Sequence, residues 1–102
     1  MGLHPLFTLG PRLQLCASMV RKNVKLADVG TDHAYLPIWL AKKAIISNAV
    51  AADIRQGPLE KAKDNIQRYH VQDTVTARLS DGLNKISPNE ADDIVIAGMG
   101  GE

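Results

Sequence analysis

One stretch, Leu26 to Pro37, constrains the fold of this chain more than any other. Leu26 to Val29 reads as a buried strand. Gly30 makes a tight turn, and a helix starts near Leu36. Pro37 suits the first turn of that helix, where its missing N–H would have no partner anyway. A strand that passes through a glycine turn into a helix is the place where open α/β sheets bind small ligands.

The glycine pattern narrows the ligand. A G-x-G-x-x-G loop starting at Gly30 would need glycine again at positions 32 and 35, which hold Asp32 and Tyr35. Asp32 falls where a backbone would have to approach a pyrophosphate, and a carboxylate there repels that anion. No Gly-Lys-Ser/Thr follows, so a phosphate-binding P-loop is also absent. The ligand should be uncharged or cationic on this side. S-adenosylmethionine (SAM) fits, with a sulfonium, an ammonium and no phosphate.

The other elements follow the same plan. Pro11 opens a helix carrying Leu13, Cys16 and Val20 at helical spacing. The helix after Gly30 carries Leu36, Leu40 and Ala44 on one stripe, with Trp39 off it and Lys42 and Lys43 facing water. Ala49 to Asp53 is a second strand. Its continuous apolarity implies burial on both faces, as in a parallel sheet covered by helices. Gly57-Pro58 starts a helix with Leu59, Ala62, Ile66 and Tyr69 on one face. Thr74 to Leu79 alternates polar and apolar, which suits an edge strand. Ser80-Asp81-Gly82 turns the chain, Leu83 to Ile86 reads as a helical turn, and Asp93 to Ala97 is the fourth strand. Alternating strands and helices imply an α/β fold with a parallel sheet. An edge-like third strand gives the order 3-2-1-4.

In that order all four strand ends open into one crevice. They deliver Asp28 with Gly30 to Tyr35, then Asp53, Asp81 and Gly98 to Gly101. Asp53 lies 25 residues past Asp28, near the spacing of a ribose-binding acid. It can accept from both ribose hydroxyls, or be only a helix cap or surface acid. Asp81 can accept from an adenine amino group, with Gly82 admitting the backbone; a plain Asp-Gly turn is the alternative. Gly30 admits the backbone beside the methionine part of SAM. Asp28 and His33 can hold its ammonium and carboxylate ends, or Asp28 can be a turn acid accepting backbone N–H bonds. Tyr35 can wall the pocket, stack on a base or belong to the core.

With 102 residues the chain forms at most one domain. A net charge of +1 gives no global signal for nucleic acid, although Arg12, Arg21, Lys22 and Lys25 crowd one region. Those four form either a solvated face or a contact for nucleic-acid phosphates. The lone Cys16 cannot form an internal disulfide, which fits a reducing, cytoplasmic setting. No apolar run approaches the roughly 20 residues of a membrane span, and no signal peptide is visible.

Four runs, in order, carry a family resemblance: Ala27 to Pro37, Gly57-Pro58-Leu59, Ser80-Asp81-Gly82-Leu83, and Ile96-Ala97-Gly98-Met99-Gly100-Gly101. Together they resemble the SAM motifs of the bacterial TrmK family, the tRNA adenine-N1 methyltransferases. The resemblance implies a Rossmann-like methyltransferase domain of which residues 1–102 are a part, truncated after the fourth strand. It implies SAM as cofactor and tRNA as partner. Within it Asp28, Gly30, Asp32, His33, Tyr35, Asp53, Asp81, Gly82, Gly98 and Met99 contact the cofactor. Asp32 carries over as the carboxylate that stabilises the cationic base after transfer, or it only shapes the loop. Gly98-Met99-Gly100-Gly101 stands where amino-group methyltransferases carry an Asn/Asp-Pro-Pro-aromatic run, which favours a ring nitrogen as target. Two other readings stay open. One is a non-catalytic fragment or assembly module that binds SAM or a nucleotide. The other is a nucleotide-dependent oxidoreductase, against which the glycine spacing argues. The apolar fourth strand carries no Lys or Pro, so its free edge should recruit a second copy.

Overall fold

The structure is a computed structural model and describes residues 5–96. The chain runs α1 (Pro11–Met19), β1 (Lys25–Val29), α2 (Tyr35–Lys42), β2 (Asn48–Asp53), α3 (Gln56–Arg68), β3 (Val75–Leu79) and β4 (Asp93–Val95). A single 3₁₀ turn, Pro88–Glu90, precedes β4. The strands form one parallel sheet in the order β3-β2-β1-β4. The order inferred from the edge-like alternation of β3 is the order observed.

β1 is interior, pairing Leu26 with Ala49 of β2 on one side and with Asp93 of β4 on the other. That position explains its uninterrupted burial from Leu26 to Val29. Leu36, Ile38 and Leu40 of α2 are fully buried, as are Leu59 and Ala62 of α3, with Ile66 close behind. Deletion of side chains of this size from a packed core costs about 2–5 kcal/mol.

Three local readings need correction. Ala44 does not extend the α2 stripe. The helix ends at Lys42, Lys43 caps it, and Ala44 turns left-handed at φ +56°, which leaves its side chain exposed. The segment 83–86 forms hydrogen-bonded turns, Ile86 N–H donating to the Leu83 carbonyl at 3.0 Å, and no helix. β4 ends at Val95; Ala97 lies outside the described residues.

The basic cluster of the N-terminal region is split between two ends of the sheet. Arg21 pairs with Asp93 through Nε and Nη2, and Lys25 Nζ donates to the Asn89 carbonyl at 2.9 Å. Both anchor the N-terminal ends of β1 and β4. At about 3.3 Å per residue they stand roughly 13 Å from the carboxyl end of β1. Arg12, at the start of α1, lines the cavity at the ligand end of the sheet.

Candidate active site

The carboxyl end of β1 runs into Gly30, and the backbone there is unusual. Gly30, Asp32 and Ala34 adopt left-handed conformations at φ +73°, +61° and +65°. For residues with a Cβ this costs about 1–2 kcal/mol each. Such strain persists only where the surroundings over-determine it. Here they do. Thr31 N–H donates to the Ala52 carbonyl at 2.8 Å, and Asp32 N–H donates to Asp53 Oδ2 at 3.0 Å. Asn65 of α3 donates from Nδ2 to the His33 carbonyl at 2.9 Å. The side chain of Ala34 is fully buried beneath the turn. The loop between β1 and α2 is thus clamped from β2 on one side and from α3 on the other.

Three aspartates meet on this loop with different electrostatic fates. Asp28 is buried and accepts a hydrogen bond from the Thr31 hydroxyl at 2.7 Å. Burial pushes its carboxyl up to about 7; the Thr31 hydroxyl opposes this and the nearby Asp53 charge adds to it. Burial alone would also raise Asp53. Instead the Arg55 side chain and the N–H groups of Arg55 and Asp32 hold it below the ordinary carboxylate range. Asp53 therefore remains an anion fixed in place. The Asp32 side chain is half exposed, with Oδ1 3.3 Å from His33 Nδ1 and 3.9 Å from Arg55 Nη2.

An aromatic wall borders the loop. His33 and Tyr35 stack at 5.4 Å between centroids and 13° between planes. Phe7 meets Tyr35 edge-on at 5.0 Å and Tyr69 edge-on at 5.2 Å. A cavity of about 350 Å³ opens in front of the loop, lined by Arg12, Leu13, Asp28, Gly30, Thr31, Asp32, Tyr35 and Leu36. That volume lies within the range of small-molecule sites.

Asp28, Gly30, Asp32 and Tyr35 line that cavity directly. His33 stands beside it through Tyr35, and Asp53 beneath the loop through its bond to Asp32. The β3 end joins through Ser80, which is buried and donates its N–H to the Asp53 carbonyl at 2.9 Å. Ser80 Oγ also donates to the Gly82 carbonyl at 2.8 Å and accepts from Lys85 N–H at 3.1 Å. Asp81 is exposed on this turn. Gly82 is required by its φ of +60°; a Cβ there would meet no protein atom within 4 Å, so it relieves no crowding within the chain. Gly98 and Met99 lie outside the described residues.

Four residues that hold the site received no role of their own from the sequence. Thr31 lies three residues after Asp28, a spacing at which a hydroxyl can reach back to a carboxylate. Arg55 lies two after Asp53 and could have been suspected as its partner. Asn65 carries no local signal, because its partner is 32 residues away, and the bond from Ser80 N–H to Asp53 spans 27 residues although Ser80 sits in a legible turn.

A strained βα turn, two carboxylates at adjacent strand ends and a parallel sheet in the order β3-β2-β1-β4 define a Rossmann-like ligand site. The chain matches the family model described as "Methyltransferase domain" over residues 9–102, and it belongs to that family. Among its relatives is the tRNA (adenine(22)-N(1))-methyltransferase of Bacillus subtilis, 40% identical over 93 residues. That match covers 91% of this chain and 39% of the relative. The Streptococcus pneumoniae protein Sp1610, solved in complex with S-adenosyl-L-methionine, superposes with a TM-score of 0.86 at 37% identity. The superposition covers 91% of this chain and 44% of that one. TrmK from M. capricolum, solved with S-adenosyl-homocysteine, gives a TM-score of 0.77 at 35% identity, covering 83% of this chain and 38% of that one. The chain thus spans about two fifths of the length of the relatives it matches, and its resemblance to the TrmK family extends along most of its own length.

Proposed function

We propose that this chain is the SAM-binding part of a methyltransferase that modifies N1 of an adenine in tRNA. The observation that carries the reading is the clamped Gly30–Ala34 turn, with Asp28 on one side and Asp53 beneath it. The relatives support the cofactor and the substrate, being a tRNA adenine-N1 methyltransferase and proteins solved with SAM or its demethylated product, S-adenosyl-homocysteine (SAH). In this reading Asp53 accepts from the ribose hydroxyls, and Asp81 with Gly82 borders the adenine. Gly30 lies against the methionine part, and Asp28 and His33 face its ammonium and carboxylate ends. Tyr35 walls the cavity, and Gly98 and Met99 belong to the same contact set. When bound, SAM supplies a methyl on a sulfonium, a good leaving group. The chain's own residues then have mainly to align the methyl with the ring nitrogen. Asp32 offers a carboxylate to the positive charge that develops on the base. A cytoplasmic site of action belongs to the same proposal, supported by the lone Cys16.

Titration with SAH tests the reading. Loss of a charged acceptor costs roughly 1.5–3 kcal/mol, or about ten- to a hundredfold in affinity. Asp53→Ala and Asp81→Ala should each weaken SAH by that order while the fold persists. Affinity unchanged in both variants overturns the site.

We further propose that the chain pairs with a second copy along β4. Among the described residues β4 is bonded on one side only, to β1, and Ile94 and Ile96 are about half exposed. A groove of about 500 Å³ beside it is lined by Cys16, Met19, Val20, Ile94 and Val95, with Arg21, Asp92 and Asp93 at its charged end. Apolar edges of this kind pair with other chains. Val95→Lys should weaken the dimer in sedimentation over a concentration series, and it also costs core packing, since Val95 lies against the core. A wild-type chain that stays monomeric at high concentration rules the contact out.

A further inference from the structure

We propose that Arg55 sets the site's affinity for a ribose by competing with the sugar's vicinal hydroxyls for the Asp53 carboxylate. The inference rests on the reading of Asp53 as the ribose acceptor. An ionised carboxylate offers about four acceptor positions. Asp53 receives four donors. Asp32 N–H reaches Oδ2 at 3.0 Å, and Arg55 N–H reaches Oδ1 at 2.9 Å. Arg55 Nε reaches Oδ1 at 3.1 Å, and Arg55 Nη2 reaches Oδ2 at 3.2 Å. Its acceptor capacity is therefore full before any ligand arrives.

The four donors are not equally replaceable. The two N–H groups belong to the clamped loop and to the start of α3, and they move only if those elements move. The other two belong to one guanidinium. The Asp53 side chain is 1% exposed and that of Arg55 is 57% exposed, so the guanidinium covers the carboxylate from the solvent side. A ligand must arrive from that side. A ribose diol brings two hydroxyl donors, the number the guanidinium would withdraw. The exchange keeps the buried carboxylate satisfied and leaves both backbone bonds intact. The displaced guanidinium keeps an anionic neighbour, since Asp32 Oδ1 lies 3.9 Å from Arg55 Nη2. Arg55 thus acts as a built-in rival of the diol, and its strength scales how much a ribose gains by binding.

The test is calorimetric titration of SAH into the full chain, its Arg55→Met and Asp53→Ala variants and the double variant. SAH carries no net charge, so removal of Arg55 does not change a long-range attraction for it. Methionine keeps the apolar stem and removes the guanidinium. Arg55→Met should bind SAH roughly two- to fivefold more tightly than wild type, the range that exposed ion pairs span. The same change in the Asp53→Ala background should give no gain. Salt supplies a readout that a purely structural role would not move. Raising ionic strength should tighten SAH for wild type, because it screens the clasp, relative to a flat response for Arg55→Met. Equal or weaker binding by Arg55→Met, with Asp53 still required, overturns the competition alone. Wild-type affinity retained by Asp53→Ala overturns the ribose reading itself.

Discussion

Asp28→Asn should stabilise the chain at pH 8 by about 4 kcal/mol and leave it almost unchanged at pH 4. Asp28 is buried, and its carboxyl is raised from the ordinary 3.8 to about 7. Well below pH 4 both folded and unfolded chains hold the proton, so burial of the neutral acid carries no titration penalty. Between pH 4 and 7 the unfolded chain loses the proton and the folded chain keeps it, so stability falls as pH rises. Above 7 the full cost is in place. At about 1.4 kcal/mol per pH unit, a separation of that size amounts to about 4 kcal/mol. Asparagine is uncharged throughout and still offers an oxygen to the Thr31 hydroxyl. Urea denaturation of both proteins at pH 4, 6 and 8 measures the difference. Asp53, Glu90 and Asp93, whose carboxyls are lowered, tilt stability the opposite way, but equally in both proteins. A gap that does not widen with pH would mean that Asp28 titrates as an ordinary surface acid.

A residue that costs this much stability at neutral pH is a poor choice for a structural turn acid. Among the described residues its side chain is hydrogen-bonded to the Thr31 hydroxyl, and it faces the cavity. In the proposed function a ligand's ammonium would meet there a carboxylate that gains most from a positive charge. The sequence permitted two roles for Asp28, ammonium holder or acceptor of backbone N–H bonds. The proposed function takes the first of these.

The contrast between what the sequence reveals and what it hides is itself physical. β1 and β2 are legible because burial on both faces demands continuous apolar runs, and β3 because an edge strand alternates. The βα turn is legible because left-handed backbone at Gly30 selects glycine. The left-handed turns at Asp32 and Ala34 are not, because tertiary bonds from Asp53 and Asn65 impose them on residues that would not choose them. The end of α2 is misread for a related reason: Ala44 is a good helix former, but Ile45 N–H bonds back to the Leu40 carbonyl and closes the helix. Asp53 stands out by its position after an apolar run. Its clasp by Arg55 depends on side-chain geometry that no periodicity encodes.

Asp32→Asn and Asp32→Ala should both cut methyl transfer to tRNA by about a hundredfold or more, while SAH affinity changes less than about threefold. The assay would use this chain continued by the C-terminal remainder of the Bacillus subtilis relative. A preorganised charge facing a developing opposite charge is worth about that much in rate. Asp32 is positioned for it. Its N–H is fixed on Asp53, and its half-exposed carboxylate borders the cavity between His33 and Arg55. The loop is held to β2 and α3 by the backbone of Thr31, Asp32 and His33, while the carboxylate meets the partly exposed His33 and Arg55 side chains. Two variants are needed because φ at this position is +61°. Asparagine tolerates that conformation and removes only the charge, whereas alanine adds backbone strain. If the charge matters, the two variants lose turnover alike. If the loop's shape matters, alanine loses both turnover and SAH affinity while asparagine keeps both, and Asp32 is then a folding residue with no part in the chemistry.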